Sequence, residues 1–200
     1  LVDQGVLERI GRGIFRFGET KEFTPELTAS LKTLYRNIHN TFPYVELCIW
    51  NTAILNEFML HQPFKFLTLV EVEKDVLNSV FQHLKESKTQ VFLNPNREVL
   101  QHYLSDQRDA IIVKPLVSES PLLKVGKVIT PTLEKVLVDI ICDKDLFSTF
   151  QGSEMRRIFQ EAFKQYTINE RRLLRYANRR KRKEELKNFL VDLQLLALNE

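Results

Sequence analysis

Short β-rich strings alternate with helical segments through the middle of the chain, and this alternation limits the fold more than any other feature. The strings are rich in Val, Ile, Leu and aromatic residues and fall at residues 44–50, 66–73, 90–93 and 110–114. Helical patterns fill the intervals between them, at residues 52–60, 75–85 and 97–104. Because parallel strands need a long crossover that is usually a helix, this order predicts a mixed α/β fold with a mostly parallel sheet flanked by helices.

The segments on either side of this alternation are predicted to be mainly helical. Before it, apolar residues at helical spacing from Leu27 to Phe42 predict an amphipathic helix, with Thr24 as its N-cap and Pro25 at its first position. After it, residues 117–129 are predicted to form a loop and one strand, and a strongly apolar, buried helix follows at 133–141. The remainder is predicted to be a helical region, with helices at residues 153–165, 169–182 and 184–198.

The start of the chain carries the pattern of a small β-hairpin. Two β-prone runs, residues 7–10 and 14–17, flank the tripeptide Gly11-Arg12-Gly13, whose glycines suit a tight turn. Gly5 fits the end of a preceding helix, because glycine tolerates the left-handed cap conformation. A helix end followed by a hairpin with arginine at its tip is the order found at the back of a winged helix. An ordinary hairpin packed on the core is the alternative.

This order predicts two unequal domains. Residues 1–20 would be the remnant of an N-terminal winged-helix domain, and residues 21–200 would form an α/β domain that ends in the helical region. Since the chain begins with Leu1 rather than Met, we expect preceding residues to supply the helix-turn-helix.

The composition is that of an ordinary globular protein. Of the 200 residues, 44% are hydrophobic and 28% charged, and no apolar run reaches the ~18 residues of a membrane span. Cys48 and Cys142 lie in apolar strings, which favours buried reduced thiols and a cytoplasmic setting. The histidines and cysteines lack zinc-type spacing and no phosphate-binding glycine loop is present, so we expect no metal and no cofactor. Trp50, at the end of a predicted strand, is expected in the core against Phe58 or Phe66.

Acidic residues at the end of one predicted strand are the first candidates for catalysis. Glu71 and Glu73 lie on the same face of the strand at 66–73, and ligands of α/β sheets usually bind at the carboxyl ends of strands. A metal-dependent nuclease would carry an acid-x-lysine triplet here, but the triplet that ends at Lys74 begins with Val72. The pattern favours a polar or edge face. The alternative is a metal-dependent enzyme that processes nucleic acid with Glu71, Glu73 and Asp139.

Asp139 is unusual because it lies inside the apolar helix at 133–141. A carboxylate buried there needs a hydrogen-bonding or charged partner. We expect that partner in the basic C-terminal helices. Arginines of those helices that point inward are expected to meet Asp139, Asp143 or Asp145, because buried arginines are rarely left unpaired.

Basic residues concentrate in the last quarter of the chain. Residues 151–200 hold 12 of the 29 Lys and Arg residues but only 7 of the 26 Asp and Glu residues. Four arginines follow one another at steps of three and four residues, which places them on one stripe of a helix: Arg172, Arg175, Arg179 and Arg182. Such a stripe can neutralise nucleic-acid phosphates, can dock on an acidic protein, or can be a solvated face that pairs internally with Glu184 and Glu185.

Five strings of the sequence together resemble a family of uncharacterised bacterial proteins related to AbiEi-type antitoxins of type IV toxin–antitoxin systems. The strings are GVLERIGRGIFRFG, CIWNTAILNEFMLHQP, LVEVEKDVLNSVFQHL, TPTLEKVLVDIICDKDLFSTFQGSE and YTINERRLLRYANRRKRKEEL. The link to the antitoxins rests on the wing-like start and on the helix with Glu134, Lys135 and Asp139, which is similar to a segment of their C-terminal domain.

The resemblance implies a winged helix-turn-helix followed by an α/β C-terminal domain. Antitoxins of this type bind operator DNA and repress their own operon, and their C-terminal part counters a nucleotidyltransferase-like toxin. The resemblance matches Arg9, Arg12 and Arg16 to the wing and supplies no catalytic residue. We therefore expect a non-enzymatic transcriptional regulator with DNA and a toxin of that kind as its partners. The expected further DNA contacts are Arg172, Arg175, Arg179 and Arg182.

Overall fold

The computed structural model describes residues 7–11, 14–17, 21–60, 65–103 and 110–196. Strands β1 (Leu7–Gly11) and β2 (Ile14–Phe17) pair antiparallel, with Leu7 opposite Phe17. The predicted N-terminal hairpin is therefore confirmed. Its predicted tip, Arg12, lies outside the described residues.

Residues 21–28 form an extended segment between the hairpin and the first helix. Exposed and inward-facing residues alternate along it, and Pro25 and Leu27 are buried. Helix α1 (Ala29–Thr41) begins only afterwards, with Thr28 as its N-cap, and the Thr28 hydroxyl accepts a hydrogen bond from the backbone N–H of Leu31 at 3.2 Å. The prediction of Thr24 as N-cap is wrong, because an extended chain buries Pro25 and Leu27 on one side, which a helix starting at Thr24 would not do.

A four-stranded sheet lies at the centre of the domain. Its spatial order is β3 (Leu47–Asn51), β4 (Thr68–Val72), β6 (Ile111–Pro115) and β5 (Val91–Leu93). Strand β3 is antiparallel to β4, whereas β4 and β5 both run parallel to β6. The chain between strands contains a 3-10 helix (Thr52–Phe58), α2 (Leu77–Ser87) and α3 (Arg97–Tyr103). The predicted mixed α/β fold with a mostly parallel sheet is confirmed.

The two faces of the sheet bury separate cores, because successive side chains of a strand point to opposite faces. On one face, Val70 and Val113 pack with residues of α1 and α2 such as Ile38 and Leu84. The alternate strand residues enter a larger core that is completed by the helices after the sheet; they include Cys48, Trp50, Leu69 and Ile112.

Trp50 is buried in this larger core, as predicted, with 1% of its surface exposed. Its ring stacks on Phe147, with ring centroids 5.9 Å apart and planes 24° from parallel. The stacking partner therefore comes from the chain after the apolar helix, and the predicted Phe58 is buried in the same core.

A second small sheet and four helices complete the domain. Strands β7 (Leu122–Val125) and β8 (Val128–Pro131) form an antiparallel hairpin where one strand was predicted, because Gly126 adopts a positive φ of 62° and turns the chain. The predicted apolar helix is α4 (Leu133–Cys142), which is almost wholly buried. The helices after it are α5 (Ser153–Gln165), α6 (Glu170–Arg179) and α7 (Lys183–Asp192). None of the helices in the described ranges has the length and apolar character to cross a membrane.

Candidate functional site

Charged side chains meet inside the larger core, at the interface between the sheet and α4. Glu71 on β4 and Lys114 on β6 are neighbours in the sheet register. They share the strand face of Leu69 and Ile112, so both point toward α4. All four positions lie on the two central strands, which explains why both charged side chains are buried.

Helix α4 supplies the next two charges, one turn apart. Lys135 Nζ lies 2.7 and 2.8 Å from the two carboxylate oxygens of Glu71, and 2.6 Å from Asp139 Oδ2. The side chains of all three residues are at most 1% exposed. The indole N–H of Trp50 also donates to Glu71 Oε1, at 2.8 Å. Lys135 therefore neutralises two carboxylates that are buried with it.

Side chains at the end of α6 bind the carboxylates on the outer side of this set of charges. Asp139 Oδ1 accepts hydrogen bonds from the Tyr176 hydroxyl at 2.9 Å and from Arg180 at 2.7 Å. The same guanidinium donates to Asp143 Oδ1 at 2.7 Å, and Lys114 Nζ donates to Asp143 Oδ2 at 2.5 Å. Three acids and three bases thus form one connected set, the buried charge cluster: Glu71, Lys114, Lys135, Asp139, Asp143 and Arg180.

The electrostatics of the cluster fix its ionisation at neutral pH. Burial alone would raise the pKa of Asp139, but the cations Lys135, Lys114 and Arg180 hold that pKa below its ordinary value. Burial would lower the pKa of Lys135, but Asp139 and Glu71 raise it well above its ordinary value. Burial and the Asp139 carboxylate both raise the pKa of Tyr176. Asp139 is therefore ionised, Lys135 is charged, and Tyr176 keeps its proton as a donor.

The geometry indicates a structural role for these carboxylates. Lys135 Nζ occupies the position between Glu71 and Asp139 where a cation shared by both would lie. Glu73 does not join them, because it is exposed beyond the end of β4, where its carboxylate accepts from the backbone N–H of Glu46 at 3.4 Å. Among the described residues, no three His, Cys, Asp or Glu side chains lie close enough together to hold a metal ion. The prediction that Glu71 lies on a polar or edge face is wrong, because β4 is a central strand covered by α4.

Sequence reasoning found only part of this cluster. It predicted that Asp139 would be paired by the basic C-terminal helices, and Arg180 does so. It missed Lys114, Lys135 and Tyr176. A signal existed for Lys135, since a lysine four residues before an aspartate inside an apolar helix predicts an i,i+4 pair.

The outward side of α6 carries the predicted basic residues. Together with the loop that follows α6, it forms a set of exposed cations, the basic surface: Arg171, Arg172, Arg175, Arg179, Lys181 and Arg182. The opposite side of the helix is buried, with Leu173, Tyr176 and Ala177 in the core. All four arginines of the predicted stripe are therefore exposed, and the arginine that turns inward, Arg180, was not part of it.

The predicted stripe is not continuous along one helix. Helix α6 ends at Arg179, Lys181 adopts a left-handed φ of 58°, and Arg182 is the N-cap of α7. Arg180 lies four residues after Tyr176 and therefore on the same inward side as that residue, and the left-handed Lys181 directly after it turns the chain into α7. Arg182 instead lies 3.3 Å from Glu185 at the start of α7.

Half of the six exposed cations have an acidic neighbour, Arg182 among them. Arg172 lies 3.6 Å from Glu134, and Arg179 lies 3.7 Å from Glu119 and donates to the Ser118 hydroxyl. Within the part of the chain that the structure covers, no ion pair involves Arg171, Arg175 or Lys181. Asp145, a predicted partner for inward arginines, instead lies 3.7 Å from Arg97. Among the wing candidates, Arg9 and Arg16 lie on β1 and β2 and their side chains, like Arg12, fall outside the described residues.

The fold and these two clusters define a mixed α/β protein whose internal charges neutralise one another and whose C-terminal helices present cations to solvent. Within that class the chain is a member of the family described as "Family of unknown function (DUF6577)", which it matches over residues 1–195. A comparison with curated proteins gives no significant match.

Proposed function

We propose that this protein is a non-enzymatic, antitoxin-like transcriptional regulator of the bacterial cytoplasm. In this proposal it binds DNA through its N-terminal region and through the basic surface. The observation that carries the proposal is the contrast between charges inside and outside. The interior cluster has equal numbers of acids and bases, whereas Arg171, Arg175 and Lys181 have no ion-pair partner among the described residues.

Unpaired surface cations favour a polyanionic ligand. Each phosphate that a lysine or arginine neutralises releases condensed counterions from nucleic acid, which makes binding favourable and dependent on salt. Exposed arginines three and four residues apart on α6 present cations along about two turns of helix, and Arg175 among them has no ion-pair partner in the described residues. An acidic protein, such as a nucleotidyltransferase-like toxin, also offers negative charges, but its carboxylates are less regularly spaced than the phosphates of a duplex.

The enzyme alternative has less support. A hydrolytic site with metal-bound carboxylates needs at least two acids that are free to ligate in an open pocket. Glu71 and Asp139 are each bonded to Lys135, and Asp139 also to Arg180 and Tyr176. A cation could bind them only after Lys135 had moved away.

The proposal is tested by titrating the full-length protein against duplex DNA from upstream of its own gene, followed by fluorescence anisotropy. We expect binding that weakens steeply with salt. Replacement of Arg12 by alanine should weaken it and lower the slope of log K against log salt by about 0.9, as expected when one phosphate is no longer neutralised.

Lys85→Ala is the matched control, because Lys85 is an exposed cation on α2. Its affinity and salt slope should equal those of the wild type. Absence of salt-dependent binding by the wild-type protein would overturn the proposed function. Equal binding by Arg12→Ala and Lys85→Ala would remove the hairpin tip from the DNA-binding surface.

A further inference from the structure

A cleft opens at the edge of the main sheet where β3 ends and where β4 and β6 begin. Asn51, Thr68 and Ile111 lie side by side there in the strand register, and all three line the cleft. Its volume is about 1350 Å³, which is large enough for a small organic molecule. We call it the edge cleft, and the described residues that line it lie within residues 25–37, 50–57, 66–68 and 87–88, together with Ile111 and Thr130. None of these described residues belongs to the basic surface or to the buried charge cluster.

Two buried polar atoms of the edge cleft have no hydrogen-bond partner among the described residues. Asn51 Nδ2 donates to the Thr68 hydroxyl at 3.0 Å, and Asn51 Oδ1 accepts from the backbone N–H of Ala53 at 2.8 Å. In contrast, Asn56 Oδ1 and Thr130 Oγ1 are shielded from solvent and unpaired within the described structure, and Thr130 is 0% exposed. Since proteins pair nearly all of their buried polar groups, these two atoms mark positions where a bound molecule would supply the partner.

The walls of the edge cleft combine apolar and uncharged polar side chains. Leu34, Ile54 and Phe66 are half-buried and offer apolar surface. Exposed hydroxyl and carboxamide groups also line the cleft, and they belong to Thr28, Ser30, Thr33, Asn37 and Ser87. A ligand that matches this lining has an apolar or aromatic part and carries both hydrogen-bond donors and acceptors.

The charges of the edge cleft argue against an anionic ligand. Among the described residues that line it, the ionisable ones are Glu26, Glu57 and Lys88, and all three are exposed. Two acids and one base give this lining a negative balance, whereas the basic surface on α6 is positive. A phosphate or carboxylate group in the cleft would therefore be repelled more than it is attracted.

We propose that the edge cleft is a binding site for a small uncharged molecule that carries amide-type N–H and C=O groups on an apolar or aromatic frame. An N–H of the ligand donates to Asn56 Oδ1, and a carbonyl accepts from the Thr130 hydroxyl. The frame packs on Ile54 and Phe66. Nucleobases and peptide-like amides share this chemistry. The inference stands apart from the proposed function, because it uses neither the hairpin nor the basic surface.

The first test titrates the protein with four probes: adenosine, uridine, N-acetylleucinamide and N-acetylphenylalaninamide. Trp50 is the single tryptophan of the chain and lines the edge cleft, so its fluorescence reports binding, and calorimetry gives an independent Kd. We expect at least one probe to bind with a Kd below about 1 mM. A preference for the nucleosides would assign a nucleobase ligand, and a preference for the amides would assign a peptide-like one. The absence of saturable binding by all four probes would overturn the inference.

Matched variants test whether the probe binds in the edge cleft. Thr130→Val removes the unpaired hydroxyl with little change in volume. Thr132→Val is its control, because the Thr132 hydroxyl is also buried and unpaired, whereas Thr132 is not among the described residues that line the cleft. We expect Thr130→Val to weaken binding of the probe about tenfold and Thr132→Val to bind it as the wild type does. Wild-type affinity in Thr130→Val, or equal losses in the two variants, would overturn the inference.

A second variant keeps the test decisive if Thr130→Val does not fold. Asn56→Leu removes the unpaired acceptor at a similar volume, and it should weaken the same probe by a similar factor. Without ligand, Thr130→Val should melt no earlier than the wild type, because it removes a buried hydroxyl that has no partner. A lower melting temperature than that of Thr132→Val would show that the Thr130 hydroxyl is already bonded in the free protein, and this result would overturn the inference.

An anionic counterpart of the bound probe tests the charge of the ligand. The counterpart is the 5′-monophosphate for a nucleoside and the free carboxylate for an N-acetyl amide. Because Glu26 and Glu57 outnumber Lys88 in the lining, the anion should bind more weakly than the uncharged probe. Tighter binding of the anion would overturn the assignment of an uncharged ligand.

Discussion

Lys135 is a fully buried cation that pairs with two buried carboxylates. It is the only cation bonded to Glu71 in the buried charge cluster, and it also pairs with Asp139. We expect Lys135→Met, which keeps a similar volume, to lower the free energy of unfolding by about 3–5 kcal/mol, because it leaves a buried carboxylate without a counter-charge. Chemical denaturation measures this change.

Lys144→Met is the control for this prediction. Lys144 pairs with Glu185 at the same distance of 2.7 Å, but the pair is exposed to solvent. Loss of this ion pair should lower the free energy of unfolding by less than about 1 kcal/mol. Similar losses for the two variants would show that Lys135 does not neutralise a buried charge.

The acid sensitivity of the protein should depend on Asp139. Its pKa is lower in the folded protein than the value of about 3.9 in an unfolded chain, so the unfolded state binds its proton first as the pH falls. The stability from Asp139 is thus present above about pH 4 and is lost as the pH falls through the folded pKa. Urea unfolding between pH 7 and pH 3 should show this loss in the wild type and a smaller one in Asp139→Asn.

Asp192→Asn serves as the control in that series, because Asp192 pairs with Arg156 in an exposed position. It should keep the acid dependence of the wild type. A wild-type acid dependence in Asp139→Asn would show that other carboxylates cause the loss of stability at low pH.

Among the elements, α1 offers a direct test of where its first turn lies. Thr28→Ala should lower the free energy of unfolding by about 0.5–2 kcal/mol, because it removes the hydroxyl that accepts from Leu31. Thr24→Ala removes the same atoms from an exposed position in the extended segment and should change stability by less than about 0.5 kcal/mol. Thermal or urea unfolding of the two variants measures both changes in stability. The reverse order of effects would place the start of the helix at Thr24.

This helix start illustrates how far the sequence predicts the fold. The alternation of β-rich strings and helical segments predicted the strands of the main sheet and the parallel pairing, because these patterns are local. The start of α1, the β7–β8 turn at Gly126 and the end of α6 at Arg179 were not predicted. At each of these points local patterns allowed two structures, and tertiary contacts selected one.

The buried charge cluster was harder to predict for the same reason. The pairing of Asp139 with a C-terminal arginine followed from the cost of burying an unpaired carboxylate. The bond between Lys135 and Glu71 joins residues 64 positions apart, and no periodic pattern in the sequence indicates such a pair. Only the fold shows that the alternate residues of β4 and the inner side of α4 face one another.

In the molecule as a whole, the charges divide into two groups with different tasks. The inner group joins β4, β6, α4 and α6 and includes Arg180, while the outer group lies along the exposed side of α6 and on the two residues that follow Arg180. The inward turn of Arg180 fixes α6 with its other arginines toward solvent. A charge-reversal experiment on this region should therefore spare Arg180, because its loss would disturb the core as well as the surface.

The proposal of DNA binding depends finally on the basic surface. We expect the triple variant, Arg172→Gln with Arg175→Gln and Arg179→Gln, to keep its fold and to bind duplex DNA more weakly. The slope of log K against log salt should fall by about 0.9 for each phosphate that the variant no longer neutralises. The matched control replaces three exposed cations on and beside α2, Lys74, Lys85 and Lys88, with glutamine and should bind as the wild type does. A triple variant with the affinity and salt slope of the wild type would show that α6 is not part of the DNA-binding surface. Equal losses of affinity in the variant and the control would show that binding depends only on the net charge of the protein.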